Sequence, residues 1–140
     1  MRTKCIAAMG LVLVSGAAWA QANSVMGMWR EPGGAKIEVH PCGAGVCLRL
    51  AKLSEHPPNR QDANNPDPAL RSRPLLGLDI GQGFHLDDAA HAEGGRLYDP
   101  RSGKTYSGAM VATGDRMKLR GYVWVKMLGR TEVWTRDDGK

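Results

Sequence analysis

Arg71 and Arg73 stand two residues apart in a stretch rich in proline and asparagine. Two neighbouring guanidiniums can clamp a carboxylate or phosphate through paired N–H donors. The competing outcome is pairing with local carboxylates such as Asp62 and Asp67. Asn65 and Asp67 add further polar groups to this candidate site. Tyr98, Tyr106 and Trp124 are candidates for the mouth of a cavity, although such residues also simply pack across strands. The run Asp62 to Asp67 opens like a calcium loop. Its fifth and sixth positions are Pro66 and Asp67, where an EF-hand needs an oxygen ligand and a glycine.

Cys42 and Cys47 enclose Gly43-Ala44-Gly45-Val46, a spacing suited to a staple across a β-hairpin. Setting Cys42 opposite Cys47 puts Val39 opposite Leu50 and His40 opposite Arg49. Both sulfurs then lie on the face away from Val39 and Leu50. A metal site using His40, Cys42 and Cys47 is the rival, but no fourth ligand is visible nearby. Four histidines (His40, His56, His85 and His91) are scattered, and no serine sits in a nucleophile elbow. No catalytic residue, metal or cofactor is therefore assigned.

Those residues need an oxidising setting and a rigid frame. Residues 1–22 read as a signal peptide. Arg2 and Lys4 precede the apolar run Ile6 to Val14, and small-x-small cleavage sites follow at Ala18-Trp19-Ala20 and Ala20-Gln21-Ala22. Cleavage removes Cys5, leaves an even pair of cysteines, and lowers the formal net charge from +5 to +3. The remaining charges alternate in sign, which argues against nucleic acid as a partner. No later segment is long and apolar enough to span a bilayer. The expectation is a periplasmic or secreted chain with one domain over residues 23–140.

Short strands with turn chemistry between them fill that domain. Ile37-Glu38-Val39 and Val46 to Leu50 alternate in polarity. Ser54 to Arg73, with Pro57, Pro58, Pro66 and Pro68, excludes a strand, and Asp67-Pro68 marks a helical start. Leu75 to Ile80 reads as an apolar strand interrupted by Gly81-Gln82-Gly83. Asp99 to Gly103 and Thr113 to Asp115 are turns. Met117 and Leu119 share a strand face, and the last strand runs from Gly129-Arg130 to Arg136. The count is about eight strands in an antiparallel meander. Closing it into a barrel would remove the exposed edges, and eight strands leave room for one small ligand.

Seven stretches resemble a family of small exported bacterial proteins known as domain of unknown function 2147. They are Gly27 to Trp29, Lys36 to Val39, Asp62 to Pro68, Arg71 to Gly77, Tyr98 to Gly108, Leu119 to Tyr122 and Leu128 to Arg136. Leu48 departs from the pattern, which favours glycine after the second cysteine. The family carries no activity to transfer. Gly27-Met28-Trp29 also resembles the first-strand Gly-x-Trp of lipocalins. That resemblance implies a late-strand arginine over the Trp29 indole, with Arg136 as the first choice and Arg130 as the alternative. The combined expectation is a non-enzymatic, lipocalin-like all-β barrel that binds a small, partly apolar or anionic molecule in the bacterial envelope. The alternatives are a module that binds an envelope protein, and an enzyme built on the Asp62 to Arg73 excursion.

Overall fold

The computed structural model describes residues 23–123 and 129–139. The expected signal peptide and Trp124 lie outside the described residues. Eight strands follow one another: β1 (Gly27–Arg30), β2 (Lys36–Cys42), β3 (Gly45–Lys52), β4 (Asp79–Asp88), β5 (His91–Asp99), β6 (Lys104–Thr113), β7 (Arg116–Tyr122) and β8 (Arg130–Arg136). Each pairs antiparallel with the next, and β8 returns to β1 through Trp29↔Arg136 and Arg30↔Thr135. The chain is thus an all-β closed barrel, which leaves no edge strand unpaired.

Side-chain alternation decides what faces the interior. Ile37 and Val39 of β2, Val46, Leu48 and Leu50 of β3, Met110 and Ala112 of β6, and Met117 and Leu119 of β7 are buried on one parity. The β2–β3 register differs from the sequence expectation. A two-residue turn at Gly43-Ala44 sets Cys42 opposite Gly45, Val39 opposite Leu48 and His40 opposite Cys47. The disulfide between Cys42 and Cys47 therefore runs diagonally, with Cα atoms 5.5 Å apart. The register moves by two residues, one full pleat, so the sulfurs keep the outward face.

A second correction concerns β4. The strand begins at Asp79 and continues through Gly81-Gln82-Gly83, instead of occupying Leu75 to Ile80. Leu75–Leu78 instead rounds the barrel end, where Gly77 donates to Leu50 O and Leu50 donates to Leu78 O. Gly81 belongs in the strand because the Leu48 side chain fills its space, and Gly83 because its backbone takes a left-handed φ of 74°. Phe84 fills glycine space further along: its ring lies over Gly95 and Gly108, where an added Cβ would come within 2.2 and 2.7 Å of ring atoms.

The segment before β1 covers one end of the barrel. Val25 N donates to Ala89 O, and Gly114 N donates to Asn23 Oδ1. The indole Nε1 of Trp29 donates to Val25 O at 2.8 Å. Arg136 lies 4.2 Å from the Trp29 ring centroid and donates to Met26 O and Ser24 O. This end is packed by Trp29, Phe84, Met110 and Met117, all at most 1% exposed.

Gly95→Ala is expected to lower unfolding stability by about 1–3 kcal/mol, because the new methyl meets the Phe84 ring in a filled core. Urea unfolding followed by far-ultraviolet circular dichroism measures it.

Candidate functional site

The opposite end of the barrel is open. A cavity of about 680 Å³ descends from the mouth between Ile37, Leu50, Leu97, Leu119 and Trp134. It exists because the interior volume is unevenly filled. Gly95, Gly108 and Gly121 pair in a row across β5, β6 and β7. Phe84 covers the first two, whereas the Cβ position of Gly121 meets only Tyr106, at an ordinary 3.6 Å. Tyr98 and Tyr106 line the cavity.

The mouth carries charge. Arg130, Glu132 and Trp134 alternate along β8, so all three border the cavity. Glu132 accepts from the Trp134 indole at 2.9 Å. Arg101 reaches Asp99 at 3.3 Å and Glu132 at 3.6 Å. Desolvation works against the Arg101 charge, but the Asp99 hydrogen bond and the surrounding carboxylates raise its pKa further above the usual arginine value. Arg130 is exposed and holds no ion pair among the described residues.

The excursion between β3 and β4 is organised around Asp62, which is fully buried. Tyr98 Oη donates to its Oδ1 at 2.5 Å; Asn65 Nδ2 and Arg73 Nε each donate to its Oδ2 at 2.8 Å. Burial pushes the Asp62 carboxyl pKa up, but these three donors and the Arg73 charge outweigh it, and the net shift is downward. The same contact, after desolvation, pushes the Tyr98 phenol up to about 12.

The candidate polar residues thus divide. Asn65, Arg73 and Tyr98 converge on Asp62. Asp67 caps the 3₁₀ turn Pro68–Leu70 through Ala69 N, and Arg71 Nε donates to Asn65 O. Asn65 and Arg73 border a smaller recess of about 300 Å³ with Tyr98 and Arg96. Neither Arg71 nor Arg73 lines the larger cavity. Asn64 fastens the excursion to the β5–β6 turn by donating to Pro100 O and Arg101 O, both at 3.1 Å. Arg101, Arg130 and Glu132 were not singled out as site residues from the sequence. The parity of Arg130 and Glu132 with Trp134 was the available signal.

An eight-stranded closed barrel, packed at one end and hollow at the other, is a lipocalin-like fold. Residues 27–136 match the family described as an uncharacterized protein conserved in bacteria (DUF2147), and the chain belongs to that family. Among solved structures it is similar to protein HP1028 from the human pathogen Helicobacter pylori, which belongs to the lipocalin family. The TM-score is 0.76 at 18% identity, covering 83% of this chain and 84% of that one. At that identity the likeness concerns the fold alone. No curated protein matches the chain.

Asp62→Asn is expected to cost about 2 kcal/mol at neutral pH, less than a fully buried pair loses because Arg73 is 34% exposed. The lowered folded pKa makes the Asp62 contribution complete above the unfolded value of 3.8 and lost as pH falls through the folded value. Chemical unfolding from pH 7 downward should show the wild-type advantage over Asp62→Asn shrinking only below about 3.8.

Proposed function

We propose that this protein is an exported binding protein whose ligand is a small apolar molecule with an anionic head group. The observation that carries this reading is the open cavity of about 680 Å³, a size within the range of small-molecule sites. Its apolar wall suits a hydrocarbon or ring system. Arg130 is free to meet a negative head group at the mouth, whereas Arg101 is shared between Asp99 and Glu132.

The head-group role expected of Arg71 and Arg73 passes to Arg130 on this reading. Arg73 is held by Asp62, and Arg71 by Asn65 O. Export is supported by the positive start and apolar run of residues 1–22, and by a disulfide suited to an oxidising compartment. An enzyme built on the excursion gains no support from the histidines: none lines either recess among the described residues.

A fluorescent long-chain fatty acid is the direct probe. Wild-type protein should bind it one to one and quench Trp134. Gly121→Leu, which projects into the open part of the cavity, should weaken binding at least about tenfold with the fold retained, since the side chain takes the ligand's volume. Arg130→Gln should weaken the anionic probe about tenfold and leave a neutral alcohol of the same chain length unaffected, the difference expected of one charge-assisted contact. No saturable binding of either probe would overturn the reading.

A further inference from the structure

The outer face near the packed end assembles a set of ligands that the barrel cavity does not involve. The β2–β3 register sets His40 directly opposite Cys47, and Cys47 is bonded to Cys42. Packing of β4 on β3 then brings Asp79 alongside, 2.9 Å from His40 Nε2 through Oδ1. One ligand atom each of His40, Cys47 and Asp79 lie within 4.8 Å of one another. Asp79 is the fourth partner that local spacing around the cysteines does not reveal.

We infer that the dithiol form of this staple is a zinc site, with Cys42 Sγ, Cys47 Sγ, His40 Nε2 and Asp79 Oδ1 as its four ligands. Zinc favours tetrahedral sets of thiolate, imidazole and carboxylate, with bonds of about 2.0–2.3 Å. The ligand atoms of His40, Cys47 and Asp79, already within 4.8 Å of one another, need only modest side-chain rotation to reach that geometry, and Cys42 Sγ, released from Cys47 Sγ on reduction, supplies the fourth. His40 is held in a useful orientation. Its Nδ1 lies 3.0 Å from Pro41 O, a contact that directs the Nδ1 hydrogen to the carbonyl and leaves Nε2 for the metal. Charge balances as well: two thiolates and one carboxylate around Zn²⁺ leave one net negative charge. Arg49, 3.7 Å from Asp79, offsets it.

Zinc and the disulfide exclude each other. A newly made chain carries both thiols reduced. Zinc binding releases one proton from each thiol. A disulfide-containing oxidant then removes two electrons: the Cys42–Cys47 bond forms, the oxidant's own bond breaks to give two thiols with uptake of two protons, and Zn²⁺ departs. The staple would thus hold the hairpin together before as well as after oxidation.

Cobalt(II) reports on such a site spectroscopically. The full protein is reduced with a phosphine, freed of excess reductant and titrated with Co²⁺, then with Zn²⁺. One Co²⁺ per chain should bind, with sulfur-to-cobalt charge-transfer and tetrahedral d–d bands that Zn²⁺ abolishes. Oxidised protein should give neither band. His40→Ala and Asp79→Ala should each weaken Co²⁺ binding to the reduced protein by about tenfold or more, with β circular dichroism intact in their oxidised forms. Absence of the charge-transfer band in reduced wild type would overturn the assignment, as would equal binding by oxidised protein or unchanged affinity in either variant. If reduction unfolds the chain, recovery of β structure on adding Zn²⁺ supports the site, and failure to recover it refutes it.

Discussion

Arg136 acts at the point where barrel closure, end-sealing and core packing meet. Its backbone pairs with Trp29 across the β1–β8 seam, where the register holds two residue pairs. Its guanidinium lies against the Trp29 indole and donates to two carbonyls of the strap before β1. The indole N–H satisfies a third strap carbonyl. A cation over an aromatic face contributes about 0.5–2 kcal/mol. Here the same groups also fix the position of the covering segment. With that end covered, the opening among the described residues lies at the other end.

Interior volume follows from the distribution of large and small residues along the strands. Phe84 occupies the space that Gly95 and Gly108 leave, and Trp29, Met110 and Met117 complete a packed floor. Above it, Gly121 contributes no side chain, and the wall is made of Leu50, Leu97, Leu119 and Trp134. The cavity is therefore a consequence of which strand level carries the bulk. The polar residues at the mouth come from strand ends and loops, where solvent keeps their charges inexpensive to maintain.

The Asp62 cluster shows a different use of polarity. A fully buried carboxylate is tolerated because donors from Tyr98, Asn65 and Arg73 satisfy it. This joins an irregular, proline-rich segment to β5 without a hydrophobic core of its own. The arrangement explains why arginines that resemble an anion clamp in one dimension are structural partners in three. Buried Asp62 requires a counter-charge, and Arg73 is the one within reach.

Much was legible in one dimension because strand polarity and turn chemistry are local. The alternation through Ile37–Val39, Val46–Leu50 and Met117–Leu119, the turns at Asp99 to Gly103 and Thr113 to Asp115, and the prolines of the excursion define strand faces and breaks wherever the chain ends up. They were sufficient for an eight-stranded barrel. Glycine within a strand was not readable in this way: Gly81 and Gly83 look like interruptions until Leu48 is seen against Gly81 and the left-handed backbone at Gly83 is seen within the strand. Register was also undetermined, since moving β3 by one pleat against β2 preserves every buried face. Tertiary structure alone decided that Asp79 meets His40, that Arg73 is held by Asp62, and that Arg130 borders a hollow. Each depends on residues distant in the chain competing for the same space, and local pattern carries no information about which of them arrives.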